Sequence, residues 1–500
     1  MIKIPRTMAT QHPDNANAPY WKKDGNAFVD TAAEAAECMD AFQALGVDEF
    51  MWDWEGKFTD EAVVDRLFHH HFEYFKKHPL GLKKRLTFRI PNIWQEKGYS
   101  LIRALMVVLT SEDFARDLKF HLPPLFEVIL PMAENAKQLI FIQKSFQELA
   151  KLKAKMFTKF QKNTEYVRII PLFEGVDIQI NAAKILREYL KLHKKTFGFN
   201  PPYLRVFIAR SDPAMSSGLI ATVLAIKILL SDLKELSAET GIPIFPMIGA
   251  GSLPFRGGLT PVDIKDFADE YRGVDTITVQ SAFRYDYPLA KVKQAIKYYN
   301  AKTTRPAQTI PAAVRKKLID LIKIFEKDYQ TRLNEVVSDL QFVFGAFPRR
   351  RERHLHVGVL AYGRKVNKVK LPRAITFTGS FYSLGVPPEF LGIGALGKLK
   401  PAEVKLINTY YRNFLEDLTF AGRFLNDRNL KKLSERSDSW ERIAEDIETA
   451  EEVLKTEFGS RKKDDLSYSR LTTQLLSAKN DKEKVQKLII KTGVLRKSLG

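Results

Sequence analysis

Short apolar runs recur along the first three-quarters of the chain, separated by longer stretches with helical spacing. Each run has the length of a strand and is rich in β-branched and aromatic residues. Continuous apolarity is typical of strands buried on both faces of a parallel sheet. The predicted strands are Glu49–Trp54, Arg85–Ile90, Phe126–Pro131, Val167–Phe173, Leu204–Ala209, Ile244–Ile248, Thr276–Gln280 and Ala374–Phe377. A further run, Leu355–Tyr362, competes for the last place in this order.

The stretches between these runs predict helices. They include Thr59–Lys77, Tyr99–Leu118, Ala182–His193 and Ser217–Leu236. Strands that alternate with helices indicate βαβ units and a parallel sheet, and about eight such strands favour a closed barrel over an open sheet. The predicted fold class is therefore α/β, a (β/α)8 TIM-like barrel with additional C-terminal helices.

The pattern changes near Pro401, where strand-like runs stop and helical patterns rich in Lys, Glu and Leu continue to the end of the chain. No Gly/Ser linker separates the two regions. We therefore predict that residues 1–400 form the barrel with the active site. Residues 401–500 are predicted to form a helical extension packed on the barrel within the same structural domain.

Composition narrows the classes of protein that fit. Lys and Arg number 79 against 59 Asp and Glu, a formal charge of +20, but the basic residues are spread along the chain. A solvated basic surface explains this spread better than a nucleic-acid site does. One cysteine, Cys38, permits no internal disulfide, and no apolar stretch approaches the roughly 20 residues of a membrane span. With no visible signal peptide, we expect a cytoplasmic protein that binds neither membrane nor nucleic acid.

Polar residues follow several of the predicted strands, where the active site of such a barrel lies. Glu174 follows the fourth strand, and Arg210 and Asp212 follow the fifth. The sixth leads into a glycine-rich loop that contains Arg256, Gly257 and Gly258, and the seventh is followed by Arg284. The rim of the barrel is thus expected to gather two carboxylates and several arginines.

This mixture favours a site for a small phosphorylated acid. Two carboxylates with open positions suit Mg²⁺, and arginine forks match phosphate and carboxylate oxygens. The alternative is structural, with Glu174 and Asp212 capping helices and the arginines pairing with them. His12 lies in a segment marked as a loop by Pro13 and Asn15. It is either a general base or a surface histidine.

An ordered set of motifs resembles the short, archaeal-type phosphoenolpyruvate carboxylases over nearly the whole chain. The motifs are IPRTMATQHPDNANAPYW at the start, MWDWEGK (Met51–Lys57), FRIPN (Phe88–Asn92), PLFE (Pro171–Glu174), ARSDPA (Ala209–Ala214), GSLPFRGG (Gly251–Gly258), QSAFRYDYP (Gln280–Pro288), PRRR (Pro348–Arg351) and PRAITFTGSFYSLG (Pro372–Gly385). The resemblance implies that phosphoenolpyruvate and bicarbonate react to give oxaloacetate and phosphate, through carboxyphosphate and a metal-stabilised enolate. It also implies Mg²⁺ or Mn²⁺ and a homotetramer.

The resemblance also implies roles for single residues. His12 resembles the catalytic histidine of the family, and Glu174 and Asp212 resemble its metal ligands. Arg256 resembles the arginine that handles carboxyphosphate. Arg373 resembles an arginine that holds the substrate phosphate, a role also implied for one of Arg349, Arg350 and Arg351.

Two departures leave anion contacts to be filled. The longer enzymes of the family have a lysine where this chain has Met215, and a second arginine in the glycine loop that is absent here. Arg210 and Arg284 are the candidate replacements. The longer enzymes also end in a glycine that reaches the active site, which predicts the same for Gly500. A frayed chain end is the alternative.

Two other functions fit parts of the pattern. A metal-dependent C–C lyase of the aldolase or citrate-lyase type would use the same barrel and metal. A basic nucleic-acid-binding protein would show affinity that falls steeply with salt.

Overall fold

The computed structural model describes residues 3–55, 59–95, 99–156, 165–352, 365–366, 369–459 and 463–500. Their central feature is a closed barrel of parallel strands. The strands are β1 (Thr7–Ala9), β2 (Glu49–Asp53), β3 (Arg85–Arg89), β4 (Glu127–Leu130), β5 (Arg168–Phe173), β6 (Leu204–Ala209), β7 (Ile244–Gly249) and β8 (Thr276–Val279). They pair in chain order, and β1 closes the barrel against β8, with Met8 opposite Thr278. The predicted (β/α)8 fold class is confirmed.

Helices follow the strands and continue beyond the barrel. They are α1 (Glu34–Asp40), α2 (Val63–Lys77), α3 (Tyr99–Asp117), α4 (Ala136–Met156), α5 (Val176–Phe197), α6 (Ser211–Ser217), α7 (Leu219–Thr240), α8 (Ile264–Glu270), α9 (Ser281–Tyr285), α10 (Leu289–Ala301), α11 (Ala312–Val336), α12 (Gln341–Ala346), α13 (Ala374–Leu384), α14 (Pro401–Tyr410), α15 (Phe414–Gly422), α16 (Asp427–Ser434), α17 (Asp438–Leu454), α18 (Lys463–Ser477) and α19 (Lys482–Arg496). A short antiparallel pair, β9 (Lys365–Val366) and β10 (Val369–Lys370), precedes α13.

Seven of the predicted strands are confirmed, and the eighth is wrong. Ala374–Phe377 begins α13, a helix that is buried almost all round, with Phe377 and Phe381 fully inaccessible. A short run that is apolar on every face does not distinguish a buried strand from a buried helix. The missing strand is β1, whose three residues are too few to form a pattern. The competing run Leu355–Tyr362 lies outside the described residues.

Several hydrophobic layers position the rim of the barrel. Met8, Met51, Ile170 and Met247 fill its interior, and a larger core lies between the strands and the surrounding helices. Helices α14 to α17 share another core with α6, α7, α11 and α13, and α18 and α19 pack in a smaller one with α12. The predicted extension of residues 401–500 within the same domain, like its boundary at residue 400, stays a prediction.

None of the helices in the described ranges combines the length and hydropathy needed to cross a membrane.

Candidate active site

A cavity of about 120 Å³ lies at the carboxyl ends of the barrel strands. Residues at or just beyond the carboxyl ends of all eight strands contribute to it. Its polar lining includes Gln11, His12, Asp53, Glu55, Arg89, Glu174, Arg210, Ser211, Asp212, Arg256, Gln280 and Arg373. Six of the predicted site residues are thus brought to one place, although they are spread over 362 positions of the sequence.

Glu174 and Asp212 reach the cavity from neighbouring strands. Strands β5 and β6 are paired, with Phe173 opposite Ile208, so the residues that follow them emerge side by side. Asp212 lies in the first turn of α6. Burial and the nearby charge of Glu55 together raise the pKa of Asp212 to about 6, against the opposing effect of the surrounding arginines.

Arg89 is a site residue that the sequence analysis did not assign. Its guanidinium forms a paired contact with Asp53, at 2.8 Å from Nε to Oδ1 and 2.7 Å from Nη2 to Oδ2. Its remaining nitrogen lies 2.8 Å from Glu55 Oε2. Arg89 and Asp53 are the last residues of β3 and β2. Both therefore stand where polar residues of a barrel site are expected, at the carboxyl ends of strands.

His12 lies in the loop that leaves β1, as predicted from Pro13 and Asn15. Its Nδ1 lies 2.9 Å from Thr10 Oγ1, and its carbonyl oxygen accepts a hydrogen bond from the Ser281 hydroxyl. Asp14 accepts hydrogen bonds from the Ser281 hydroxyl and from the backbone N–H of Ala282. The start of α9 therefore fixes the loop and keeps His12 at the cavity.

Arg256 is the most extensively bonded arginine of the lining. It donates to Asp14 Oδ2 at 3.0 Å, to Gln280 Oε1 at 2.5 Å and to Ser211 Oγ at 3.2 Å. It also donates to the carbonyl oxygen of Gly500. These bonds come from four separate parts of the chain, so the orientation of this side chain is set by the folded structure rather than by its own loop.

Gly500 therefore lies beside the site, as the resemblance predicts, and not at a frayed end. Gly500 is buried, and the preceding Leu499 donates its backbone N–H to Asp14 O at 2.7 Å. Arg496 reinforces this placement by donating to the carbonyl oxygen of Leu499.

The glycine loop turns sharply behind Arg256. Gly257 has φ of +122° and Gly258 has φ of +71°, conformations that glycine adopts at the lowest cost. A Cβ at Gly257 would lie 2.7 Å from Ala250 Cβ, which is closer than carbon atoms normally approach. The two glycines shape the loop, and in this geometry neither lines the cavity.

Arg373 reaches the cavity from the start of α13. It is the N-cap residue of that helix. Burial lowers the pKa of Arg373, whereas the charges of Glu55 and Asp53 raise it. The misassigned eighth strand therefore still supplies a site residue, because α13 begins at the rim where a strand was expected to end.

Four predicted arginines lie away from the cavity. Arg284 donates to Glu37 and to the carbonyl oxygen of Thr10, and Arg351 donates to Glu37 and Glu34. Arg350 donates to the carbonyl oxygens of Asn15 and Ala16, and Arg349 is exposed. Their predicted contacts with substrate stay predictions. In the structure Arg284 and Arg350 hold the segment around His12, and Arg351 holds α1.

The donor set fits a hard divalent cation. Glu174 and Asp212 present oxygen ligands to one cavity, and carboxylate oxygens are the ligands that such a cation prefers. Within the described residues, no three His, Cys, Asp or Glu side chains converge to enclose an ion by themselves. Two carboxylates would leave coordination positions for water and substrate, as expected for a catalytic Mg²⁺ or Mn²⁺ site.

A (β/α)8 barrel with carboxylates, a histidine and arginines around one small cavity is the layout of an enzyme that acts on a small anionic substrate. Comparison with known proteins names the family. A family model described as phosphoenolpyruvate carboxylase matches residues 4–500. The chain belongs to the phosphoenolpyruvate carboxylase family, which confirms the resemblance drawn from its motifs.

Curated relatives match the chain over its whole length. The phosphoenolpyruvate carboxylase of Oenococcus oeni is 45% identical over 100% of this chain and 99% of its own. That of Leuconostoc mesenteroides is 44% identical over 96% and 95%, respectively. That of Metallosphaera sedula is 36% identical over 100% of both chains.

Proposed function

We propose that the protein carboxylates phosphoenolpyruvate with bicarbonate to give oxaloacetate and phosphate. The observation that carries this proposal is the convergence of His12, Arg256 and the Glu174–Asp212 pair on one cavity. A phosphorylated carboxylic acid needs cationic groups for its oxygens. The lining supplies Arg89, Arg256 and Arg373 for that purpose.

Glu174 and Asp212 would hold Mg²⁺ or Mn²⁺, which when bound stabilises the negative charge of an enolate. Arg89 and Arg373 bind the phosphate and carboxylate of the substrate. Bicarbonate attacks the phosphorus, and the bond between phosphorus and the enol oxygen breaks. The products of this step are carboxyphosphate and the enolate of pyruvate.

Arg256 and His12 act on carboxyphosphate. Arg256 orients it, and His12 removes its carboxyl proton, so that the C–O bond to phosphate breaks and CO₂ is released. His12 then returns the proton to the departing phosphate. The enolate carbon forms a bond to CO₂, and oxaloacetate results.

The site must exclude water during this sequence, because protonation of the enolate would yield pyruvate instead. Met215 helps here: it lines the cavity where the longer enzymes carry a lysine, and it adds an apolar wall. The arginines of the lining would then supply the positive charge that the lysine provides elsewhere.

A coupled malate dehydrogenase assay tests the activity. Oxaloacetate formation should require phosphoenolpyruvate, bicarbonate and Mg²⁺ or Mn²⁺ together, with one phosphate released per oxaloacetate. Product formation without bicarbonate, or without phosphate release, would favour the C–C lyase of the aldolase or citrate-lyase type.

His12→Asn tests the proton-transfer step separately. The variant should still release phosphate from phosphoenolpyruvate in a metal-dependent reaction, but it should form no oxaloacetate. Unchanged carboxylation would refute the role of His12 as the base.

We also propose that the enzyme works as a homotetramer in the cytoplasm, as its family resemblance implies. Light scattering after gel filtration should then give the mass of four chains of 57.3 kDa each. The mass of one or two chains would contradict this assembly.

A further inference from the structure

Arg210 was predicted to bind substrate, but its contacts point to a different task. Its Nη1 donates to Phe255 O at 2.9 Å, and its Nη2 donates to Pro254 O at 3.0 Å. Both acceptors belong to the single turn Pro254–Arg256 that carries Arg256. The two outer nitrogens of Arg210 therefore grip the backbone of the residues just before Arg256.

The third nitrogen of Arg210 fixes the orientation of this grip. Its Nε donates to the Tyr271 hydroxyl at 3.0 Å, and the side chain is fully inaccessible. The stem of Arg210 also packs beneath the turn, since a Cβ at Gly257 would lie 3.0 Å from Arg210 Cγ. The donors of a guanidinium lie in one fixed plane. Three hydrogen bonds in three directions therefore fix both the position and the orientation of the Arg210 guanidinium.

The opposite side of the same turn is held as well. Glu389 Oε1 accepts a hydrogen bond from Phe255 N–H at 2.8 Å and another from the Tyr382 hydroxyl at 2.6 Å. The peptide groups around Phe255 are thus held from two directions, by Arg210 at the end of β6 and by Glu389 before α14. These bonds hold the backbone of the turn, whereas the Arg256 side chain is held separately by Ser211, Asp14, Gln280 and Gly500.

Arg210 also connects the turn to Asp212, the proposed metal ligand. It precedes Ser211, whose hydroxyl accepts from Arg256 Nε at 3.2 Å, and it lies two residues before Asp212. One short segment after β6 therefore sets the position of the turn, of Arg256 and of Asp212 together. A small shift of Arg210 would change the distance between Arg256 and the carboxylates.

We propose that Arg210 is a positioning residue that clamps the Pro254–Arg256 turn, with Tyr271 as its anchor. The clamp places Arg256 so that carboxyphosphate is held beside the enolate carbon. The proposal rests on the proposed function. When Arg256 is displaced, carboxyphosphate still forms, but CO₂ is released too far from the enolate carbon to react with it. The enolate is then protonated to pyruvate. Phosphate then appears without an equal amount of oxaloacetate.

Tyr271→Phe is the mildest test, because it removes one hydrogen bond from Arg210 and leaves its charge in place. We expect kcat for oxaloacetate to fall by about tenfold or less, as expected for loss of one hydrogen bond to a charged group. The KM for phosphoenolpyruvate should stay within about twofold, and the ratio of phosphate to oxaloacetate should rise above one.

Tyr203→Phe is the matched control. Tyr203 is also buried, and its hydroxyl donates to Glu127 at 2.6 Å at the opposite end of the barrel. The control should lose a similar amount of thermal stability and keep the phosphate to oxaloacetate ratio at one. If both variants shift the ratio equally, or if neither does, the positioning role is overturned.

A double-mutant cycle tests the coupling directly. Arg210→Met and Arg256→Met should each raise the phosphate to oxaloacetate ratio, and the double variant should resemble Arg256→Met alone. Arg210→Lys should restore little, because an ammonium cannot bridge two carbonyl groups in one plane. Independent, multiplicative losses in the double variant would refute the clamp. Should Arg210→Met fail to fold, the two tyrosine variants decide the question.

The proposed function and the clamp can fail separately. Wild-type protein that forms no oxaloacetate refutes the proposed function, whatever the variants do. Wild-type protein that forms oxaloacetate and phosphate in equal amounts, with Tyr271→Phe unchanged in kcat and in product ratio, refutes only the clamp.

Discussion

The two ends of the barrel both bury arginines and carboxylates, yet they arrange them differently. At the amino end, Arg205 donates to Glu49 at 2.6 Å and to Glu127 at 3.0 Å, and Arg85 donates to Glu127 at 2.6 Å. At the carboxyl end, the charged groups face a cavity. The same strand, β6, contributes to both ends, with Arg205 within it and Arg210 directly after it.

The difference shows what each arrangement can do. At the amino end the carboxylates and arginines neutralise one another in buried ion pairs. At the carboxyl end, Asp212 is held against the charge of Glu55, and burial raises the pKa of Asp212. Charged groups of both signs that face one cavity favour the binding of a cation and an anionic substrate, and this end is where barrel enzymes carry their active sites.

Asp212→Asn should have the largest effect on activity and almost none on folding. The change removes a carboxylate that is proposed to bind the metal, but it keeps the size of the side chain. We expect kcat/KM to fall about a thousandfold, or roughly 4 kcal/mol, and the Mg²⁺ concentration for half-maximal activity to rise. The thermal midpoint should be unchanged or slightly higher. An unaltered metal titration would argue against Asp212 as a ligand.

Arg205→Met should show the opposite behaviour. Removing one partner of a buried ionic network leaves Glu49 and Glu127 without their main counter-charge, which costs about 3–5 kcal/mol of unfolding free energy. The folded fraction should keep its kcat at low temperature. Urea denaturation followed by fluorescence measures the loss. Arg187→Met, at an exposed pair with Glu239, is the control and should cost less than about 1 kcal/mol.

Gly257→Ala should affect both stability and activity. The new Cβ would meet Ala250 and Arg210 and would require φ near +122°, which costs about 1–3 kcal/mol. Because the turn must shift, kcat should fall in proportion. Gly25→Ala is the control, because φ is +65° and no atom lies within 4 Å of the added Cβ. It therefore introduces backbone strain without displacing a neighbouring group. Equal losses of kcat in both variants would contradict this account.

Asp417→Asn should show its effect only as a change of stability with pH. Burial raises the pKa of Asp417 to about 7, although the Tyr411 hydroxyl that it accepts opposes the shift. A carboxyl group whose pKa is higher in the folded than in the unfolded state stabilises the fold at low pH. This contribution is lost as pH rises from about 4 towards 7, by at most about 1.4 kcal/mol per pH unit. The variant should show a flatter dependence of unfolding free energy on pH over that window.

Much of the fold was predictable because buried parallel strands leave a strong signal. Strands such as β6 combine length, apolarity and β-branched residues, and the polar residues that follow them identified Glu174, Asp212 and Arg256. The short strand β1 gave no such signal, since its pairing with β8 comes from the closure of the barrel. In the same way, α13 was mistaken for a strand because it is buried on all sides.

The partners of the arginines were not predictable from the sequence. Arg210 and Arg284 follow strands in the same manner, but the guanidinium of Arg210 binds the Pro254–Arg256 turn and that of Arg284 binds Glu37. That choice depends on which carboxylate or carbonyl group lies within reach after folding. Motif resemblance located these residues, whereas their hydrogen bonds required the structure.

The buried position of Gly500 has a practical consequence for anyone who produces this protein. An affinity tag fused after Gly500 would begin in the space between Arg256 and α13, where the backbone of Gly379 already packs closely. Such a fusion would push the tail outwards and remove an acceptor from Arg256. Recombinant material with the tag at the amino terminus is therefore the suitable sample for assays and crystals.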